Sequence, residues 1–175
     1  MIRSLGRRVR AVGVVAACAL APGCMPAGDG GPPRIGAPAA AYEAATLDGR
    51  VVSLESLRGQ AVLLNLWATW CIPCRQETPY LESVYNEYKD QGFEIVGISM
   101  DAGEAADDVA MFVQDFGVTY TILHDPQMSG MELYQVLGLP ATFLIDREGV
   151  LRWMRYGPIP EGDGEFLAAL NDVLS

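Results

Sequence analysis

The chain is short of cysteine, of positive charge and of histidine, and each shortage removes a class of function. Four cysteines in 175 residues cannot build the disulfide framework of a small secreted scaffold. None is needed for bulk stability, because half of the residues are hydrophobic and a domain of this length can bury an adequate core. His124 is the one histidine and there is no second close pair of cysteines, so a four-ligand structural zinc site lacks its ligands. Twelve Lys and Arg stand against 22 Asp and Glu. Four of the twelve, Arg3, Arg7, Arg8 and Arg10, precede the first apolar block. Without them eight bases remain and the balance falls to about −14, a surface that repels nucleic acid and anionic headgroups. That excludes a nucleic-acid partner. The uncharged apolar block at residues 11–20 is too short for an ordinary membrane-spanning helix. No internal repeat is visible.

What stands at the start of the chain is an export pattern. Arginines followed by a short apolar block match the n-region and h-region of a signal peptide. Val15-Ala16-Ala17-Cys18 is similar to the lipobox of bacterial lipoproteins, with Cys18 the expected lipid anchor. Ala21-Pro22-Gly23-Cys24 is a second candidate, and a plain secretory cut near residues 21–23 is the alternative to both. One acylated terminus would tether the protein to a membrane without a spanning helix. The expected organisation is a signal peptide over residues 1–23, a Gly/Pro/Ala-rich flexible linker over 24–38 and one folded domain over 39–175. The linker has too little apolar surface to order itself.

Within the domain, residues 42–46 and 50–53 flank Leu47-Asp48-Gly49, a hairpin signal. Residues 53–59 read as one helical turn closed by Gly59. Residues 61–67 are apolar almost throughout, as a strand covered on both faces should be. Residues 72–91 place Tyr80, Leu81, Val84, Tyr85 and Tyr88 on one helical face, with Pro79 expected to kink or interrupt the helix. A strand at 93–100, a helix at 104–116, a strand at 119–123, a helix at 129–137, a strand pair at 141–146 and 150–156, and a helix at 161–174 follow. This alternation predicts an α/β fold, a mixed central sheet flanked by helices with an N-terminal β-hairpin extension. The order of elements is similar to that of thioredoxin.

The chemistry concentrates in Trp70-Cys71-Ile72-Pro73-Cys74. Side chains three apart on a first helical turn are neighbours, so a disulfide can form and reopen there with little backbone movement. Cys71, at the helix start, meets free N–H groups and the positive end of the dipole, which favour the thiolate. The thiolate is the attacking form, so Cys71 is the expected nucleophile and Cys74 the resolving thiol. Pro73 is tolerated because its missing N–H would lack an intrahelical partner. His124, beside Asp125-Pro126, reads as a strand-end residue, and Leu139-Pro140 by itself reads as an ordinary strand start. Trp67 is expected in the core and Trp70 at the border of the site.

Three stretches together, residues 67–79, 93–99 and 138–146, resemble the TlpA/ResA branch of membrane-tethered thioredoxin-like proteins, and the likeness runs from Ala37 to the C-terminus. The resemblance implies a thioredoxin-like fold with a redox-active Cys71–Cys74 pair and no other cofactor. It implies a cis Leu139–Pro140 bond facing the disulfide, and substrate contacts from Trp70, Ile72, Pro73, Leu139 and Pro140. It also places a carboxylate, Glu77, near the buried thiol as a proton route, whereas a plain helix-start acid is the simpler reading. Asn65 departs from thioredoxin, which has a buried acid there. The implied activity is reduction of protein disulfides outside the cytoplasm, with apocytochrome c among the branch's substrates and a membrane thiol donor restoring the dithiol. A peroxiredoxin-like peroxidase is the enzymatic alternative, although Leu64 stands where its Pro-x-x-x-Thr-x-x-Cys pattern requires proline. A tethered binding protein without turnover is the third.

Overall fold

The computed structural model describes residues 31–175; the expected signal peptide, Cys18, Cys24 and the first part of the expected linker lie outside them. Seven strands form one mixed sheet in the order β2-β1-β5-β4-β3-β6-β7. The hairpin β1 (Glu43–Thr46) and β2 (Val51–Ser53) turns at Gly49, whose φ of 84° suits glycine. It joins the sheet by pairing β1 antiparallel to β5 (Thr121–His124). At the centre β3 (Ala61–Trp67) runs parallel to β4 (Phe93–Ser99) and antiparallel to β6 (Ala141–Ile145). A strand with partners on both edges and layers on both faces is near-continuously apolar, and Asn65 is the one polar residue of β3. All seven residues of β3 are buried. β7 (Leu151–Tyr156) completes the other edge.

Alternation along the strands feeds two cores. Leu63, Trp67, Ile95 and Leu144 face α1 (Ile72–Tyr88), α2 (Ala106–Phe116) and α4 (Gly164–Leu174). Leu64, Leu66, Ile98 and Phe143 face the opposite layer, made by the hairpin, the 3-10 turn Leu54–Leu57 and α3 (Ser129–Leu133).

Three expectations are corrected. Pro79 does not interrupt its helix: α1 runs unbroken for 17 residues. Its side is exposed, so the ring projects to solvent while Leu81 and Val84 hold the helix on the sheet. The helix expected over 129–137 ends at Leu133. Tyr134 is drawn into the core against Phe143, with ring centroids 4.7 Å apart, and Gln135 then takes a φ of 51°. That turn buries Val136 and leaves Leu137 fully exposed. Finally, the end of the expected flexible linker is tied down. Gly36 N–H donates to Leu151 O (2.8 Å), Leu151 N–H to Ala37 O (2.9 Å) and Ala39 N–H to Gly149 O (2.9 Å). Main-chain pairing to a sheet edge needs no large apolar side chain.

Candidate active site

The site forms where β3 hands the chain to α1. Trp67 is buried, as expected, and its ring lies 4.5 Å from that of Phe112. Of the three residues that follow, Thr69 is pinned from outside. Thr69 N–H and hydroxyl both donate to the buried carboxylate of Asp101, the hydroxyl at 2.5 Å, and Ser99 Oγ donates to the same carboxylate at 2.8 Å. Arg75 reaches back from α1 to Thr69 O (3.2 Å) while its guanidinium lies over Phe112 and Phe116, 5.3 and 5.1 Å from the ring centroids. His124 ends β5, and one ring nitrogen lies 3.0 Å from Asp101 O. It therefore helps to hold the Asp101 loop. No local pattern marks Asp101 or Arg75, because what they support is formed by residues distant in sequence.

Cys71 is the N-cap of α1 rather than its first helical residue: its ψ is 106° and its Sγ accepts Cys74 N–H at 3.3 Å. The helix start thus directs a donor at the sulfur, the arrangement that favours a thiolate. Cys71 and Cys74 are joined in a disulfide, with Cα atoms 5.3 Å apart. Cys71 retains 4% exposure and Cys74 none. Pro73 occupies the second helical position, where no intrahelical acceptor awaits its nitrogen. Trp70 and Ile72 flank the pair and are 66% and 69% exposed, an apolar rim in a chain that buries most large side chains.

The Leu139–Pro140 bond is cis. The β3–β6 register pairs Leu66 with Ala141, and continuing it sets Pro140 level with Trp67, beside the loop that leads to Cys71. Pro140 O accepts Gly157 N–H at 2.8 Å. Leu139 is half-buried between the two cores.

Glu77 follows Cys74 by three residues on α1, so the two share a helix face. It is 4% exposed, which the simple reading of a solvated helix-start acid does not accommodate. Oε1 accepts Asn65 Nδ2 (3.0 Å) and Oε2 accepts Ile159 N–H (2.9 Å). Burial pushes its pKa up to about 7, and the two donors oppose that rise. The same Asn65 nitrogen donates to Thr142 Oγ1 at 2.9 Å. Asn65, noted in the sequence only as a missing acid, is thus the link from β3 to that carboxyl group. Among the described residues no three His, Cys, Asp or Glu side chains cluster in a way that could hold a metal.

The family model described as "AhpC/TSA family" matches residues 35–154. The protein named thiol-disulfide oxidoreductase ResA from Geobacillus thermodenitrificans is 37% identical over 129 residues, 74% of this chain and 73% of that protein. The protein of the same name from Oceanobacillus iheyensis is 36% identical over 113 residues, 65% of this chain, and the match spans 58% of that protein's length. Among solved structures, a thiol:disulfide interchange protein DsbE from Chlorobium tepidum superposes with a TM-score of 0.75 at 31% identity, covering 82% of this chain and 99% of that one. The fold is thioredoxin-like. The chain belongs to the AhpC/TSA family and, within it, to the thiol-disulfide oxidoreductases of the ResA type.

Proposed function

We propose that the protein is an extracytoplasmic, membrane-tethered reductant of protein disulfides. The observation that carries this reading is the Cys71–Cys74 disulfide closed across the first turn of α1, with Cys74 N–H directed at Cys71 Sγ. In the working cycle the Cys71 thiolate attacks one sulfur of a substrate disulfide. An S–S bond to substrate forms as the substrate bond breaks, and the first substrate thiolate leaves. Cys74 then attacks Cys71 Sγ, restores the internal disulfide and releases the second thiolate. The substrate disulfide gains two electrons and the protein pair loses them. The proton of Cys74 departs through Glu77, whose pKa near 7 suits exchange near neutral pH. Trp70, Ile72, Pro73, Leu139 and Pro140 form the face against which the substrate chain lies. A membrane thiol donor returns the pair to the dithiol. Apocytochrome c before haem attachment, in cytochrome c biogenesis, is the first substrate to test.

Trapping tests the reading. Cys74→Ala removes the resolving thiol, so substrates accumulate as mixed disulfides on Cys71 and separate on a non-reducing gel. Absence of any adduct, with Cys71 shown to be free and reactive, counts against a reductase. The location has its own test. The leader pattern supports lipidation at Cys18, so Cys18→Ser should move the protein from the membrane to the soluble fraction. An unchanged distribution sinks that anchor and leaves Cys24 as the one to substitute.

A further inference from the structure

Glu77 and Pro140 belong to different elements, yet a closed ring of contacts joins them. From Pro140 the chain runs two residues along β6 to Thr142, whose Oγ1 accepts Asn65 Nδ2 at 2.9 Å. The same amide nitrogen donates to Glu77 Oε1 at 3.0 Å. The other oxygen, Oε2, accepts Ile159 N–H at 2.9 Å. Two residues back, Gly157 N–H returns to Pro140 O at 2.8 Å. Ile159 is buried in the core that contains both cysteines and is flanked by Pro158 and Pro160, which restrict its backbone. One carboxylate oxygen is therefore held by an amide that is itself bonded to Thr142, two residues beyond Pro140, and the other by Ile159 N–H, two residues beyond the Gly157 that bonds Pro140 O.

We infer that Asn65 is a positioning residue, fixing the Glu77 carboxyl group and the Pro140 segment as one rigid unit between the substrate-facing wall and the resolving thiol. Asn65 is suited to this because its amide donates to two acceptors from the middle of a strand that has no freedom to shift. It lies directly opposite Thr142 in the β3–β6 register. An aspartate in its place could not donate to an ionised Glu77. Few charges compete with it. The cysteine pair at the start of its own helix is closed in the disulfide and does not ionise in the oxidised protein. Burial first, and then the Glu77 charge, raise the Tyr120 phenol ahead of β5, and burial raises the Tyr80 phenol on α1. Arg155 of β7, opposite Thr142 in the β6–β7 register, is paired with Asp163 at 2.9 Å. β3 and β6 contribute the neutral Asn65 and Thr142, residues 157–160 carry no ionisable side chain, and Glu161 beyond them is exposed.

The inference rests on the reductase reading for its purpose, but its test need not. In the oxidised full-length protein, the Glu77 carboxyl carbon and the Ile159 and Gly157 amides are followed by NMR against pH. All three should titrate together in the wild type and lose the transition in Glu77→Gln. Asn65→Ala removes the donor to the charged form, so the shared midpoint should rise by about one pH unit, a tenfold change in proton affinity. A midpoint unmoved in Asn65→Ala overturns the inference, as does an Ile159 amide that titrates independently of Glu77. If Asn65→Ala does not fold, Thr142→Val, which removes the acceptor that orients the amide, should move the midpoint in the same direction, and no movement is again fatal. Disulfide-exchange rates add a cycle. Asn65→Ala should slow exchange several-fold in the wild-type background and leave the Glu77→Gln background unchanged, whereas a merely structural role slows both. A wild type with no exchange activity overturns the reductase reading and leaves the titration to judge Asn65.

Discussion

Glu77 is a carboxyl group that folding removes from water and then partly compensates with two donors. Burial outweighs the donors, since its pKa stands near 7 against an ordinary 4.5. The folded protein therefore binds a proton at Glu77 that the unfolded chain has already released between these two values. Stability from this group is full below about pH 4.5, declines as pH rises through 7 and is flat above. Glu77→Gln abolishes that dependence while leaving a carbonyl to accept one donor. From pH 4 to pH 8 the variant should gain on the wild type by about 3 kcal/mol in urea unfolding of the oxidised protein. A difference that does not change with pH would mean that Glu77 keeps its ordinary carboxylate pKa in the folded protein, and its assignment as a proton route would fall. The same residue scale explains why Asn65 replaces an acid without leaving a gap: an amide beside a carboxylate donates, where a second carboxylate would repel.

At the scale of elements, α1 carries both the reactive pair and Glu77, so its course decides the geometry of the site. It passes through Pro79 without a break, although proline cannot supply an N–H to the carbonyl four residues earlier. The packing of Leu81 and Val84 beyond it outweighs that loss. Because Pro79 is exposed, Pro79→Ala forfeits little packing and restores a donor to the ladder. It should stabilise the protein by about 1–3 kcal/mol, read from the urea midpoint. A lower midpoint would show that the proline ring is itself part of the helix's fit. α3 shows the opposite balance. One turn of helix gives way because the Tyr134 ring gains more against Phe143 than further helix would return.

At the scale of the whole molecule, one sheet separates two cores, and β4 contributes to both. Ile95 belongs to the core under α1 and Ile98 to the opposite one. Each is fully buried, so Ile95→Val and Ile98→Val should each cost about 1 kcal/mol. As the two side chains belong to cores on opposite faces of the sheet, the double variant should lose the sum within about 0.5 kcal/mol. A larger coupling, measured by the double-mutant cycle in urea, would show that the cores communicate through the sheet.

Sequence by itself determined what depends on neighbours along the chain. The almost wholly apolar run of β3, the Asp48-Gly49 turn, the helix start at the cysteines and the pairing of Cys71 with Cys74 were all legible. Each needs only local spacing, one residue's conformational freedom or the first turn of a helix. The cis bond at Pro140 and the expectation of a proton route through Glu77 came from the resemblance, since neither has a local signature. Tertiary structure alone decided the rest. Asn65 meets Glu77 and Thr142, and Ile159 N–H meets Glu77 across 82 residues, because strand order and register bring β3, β6 and the loop after β7 to one point. The early end of α3 and the attachment of residues 36–39 to the edge of β7 have the same origin. A hydrogen bond or a buried ring takes its energy from whatever the fold places opposite it, and sequence spacing carries no record of that partner.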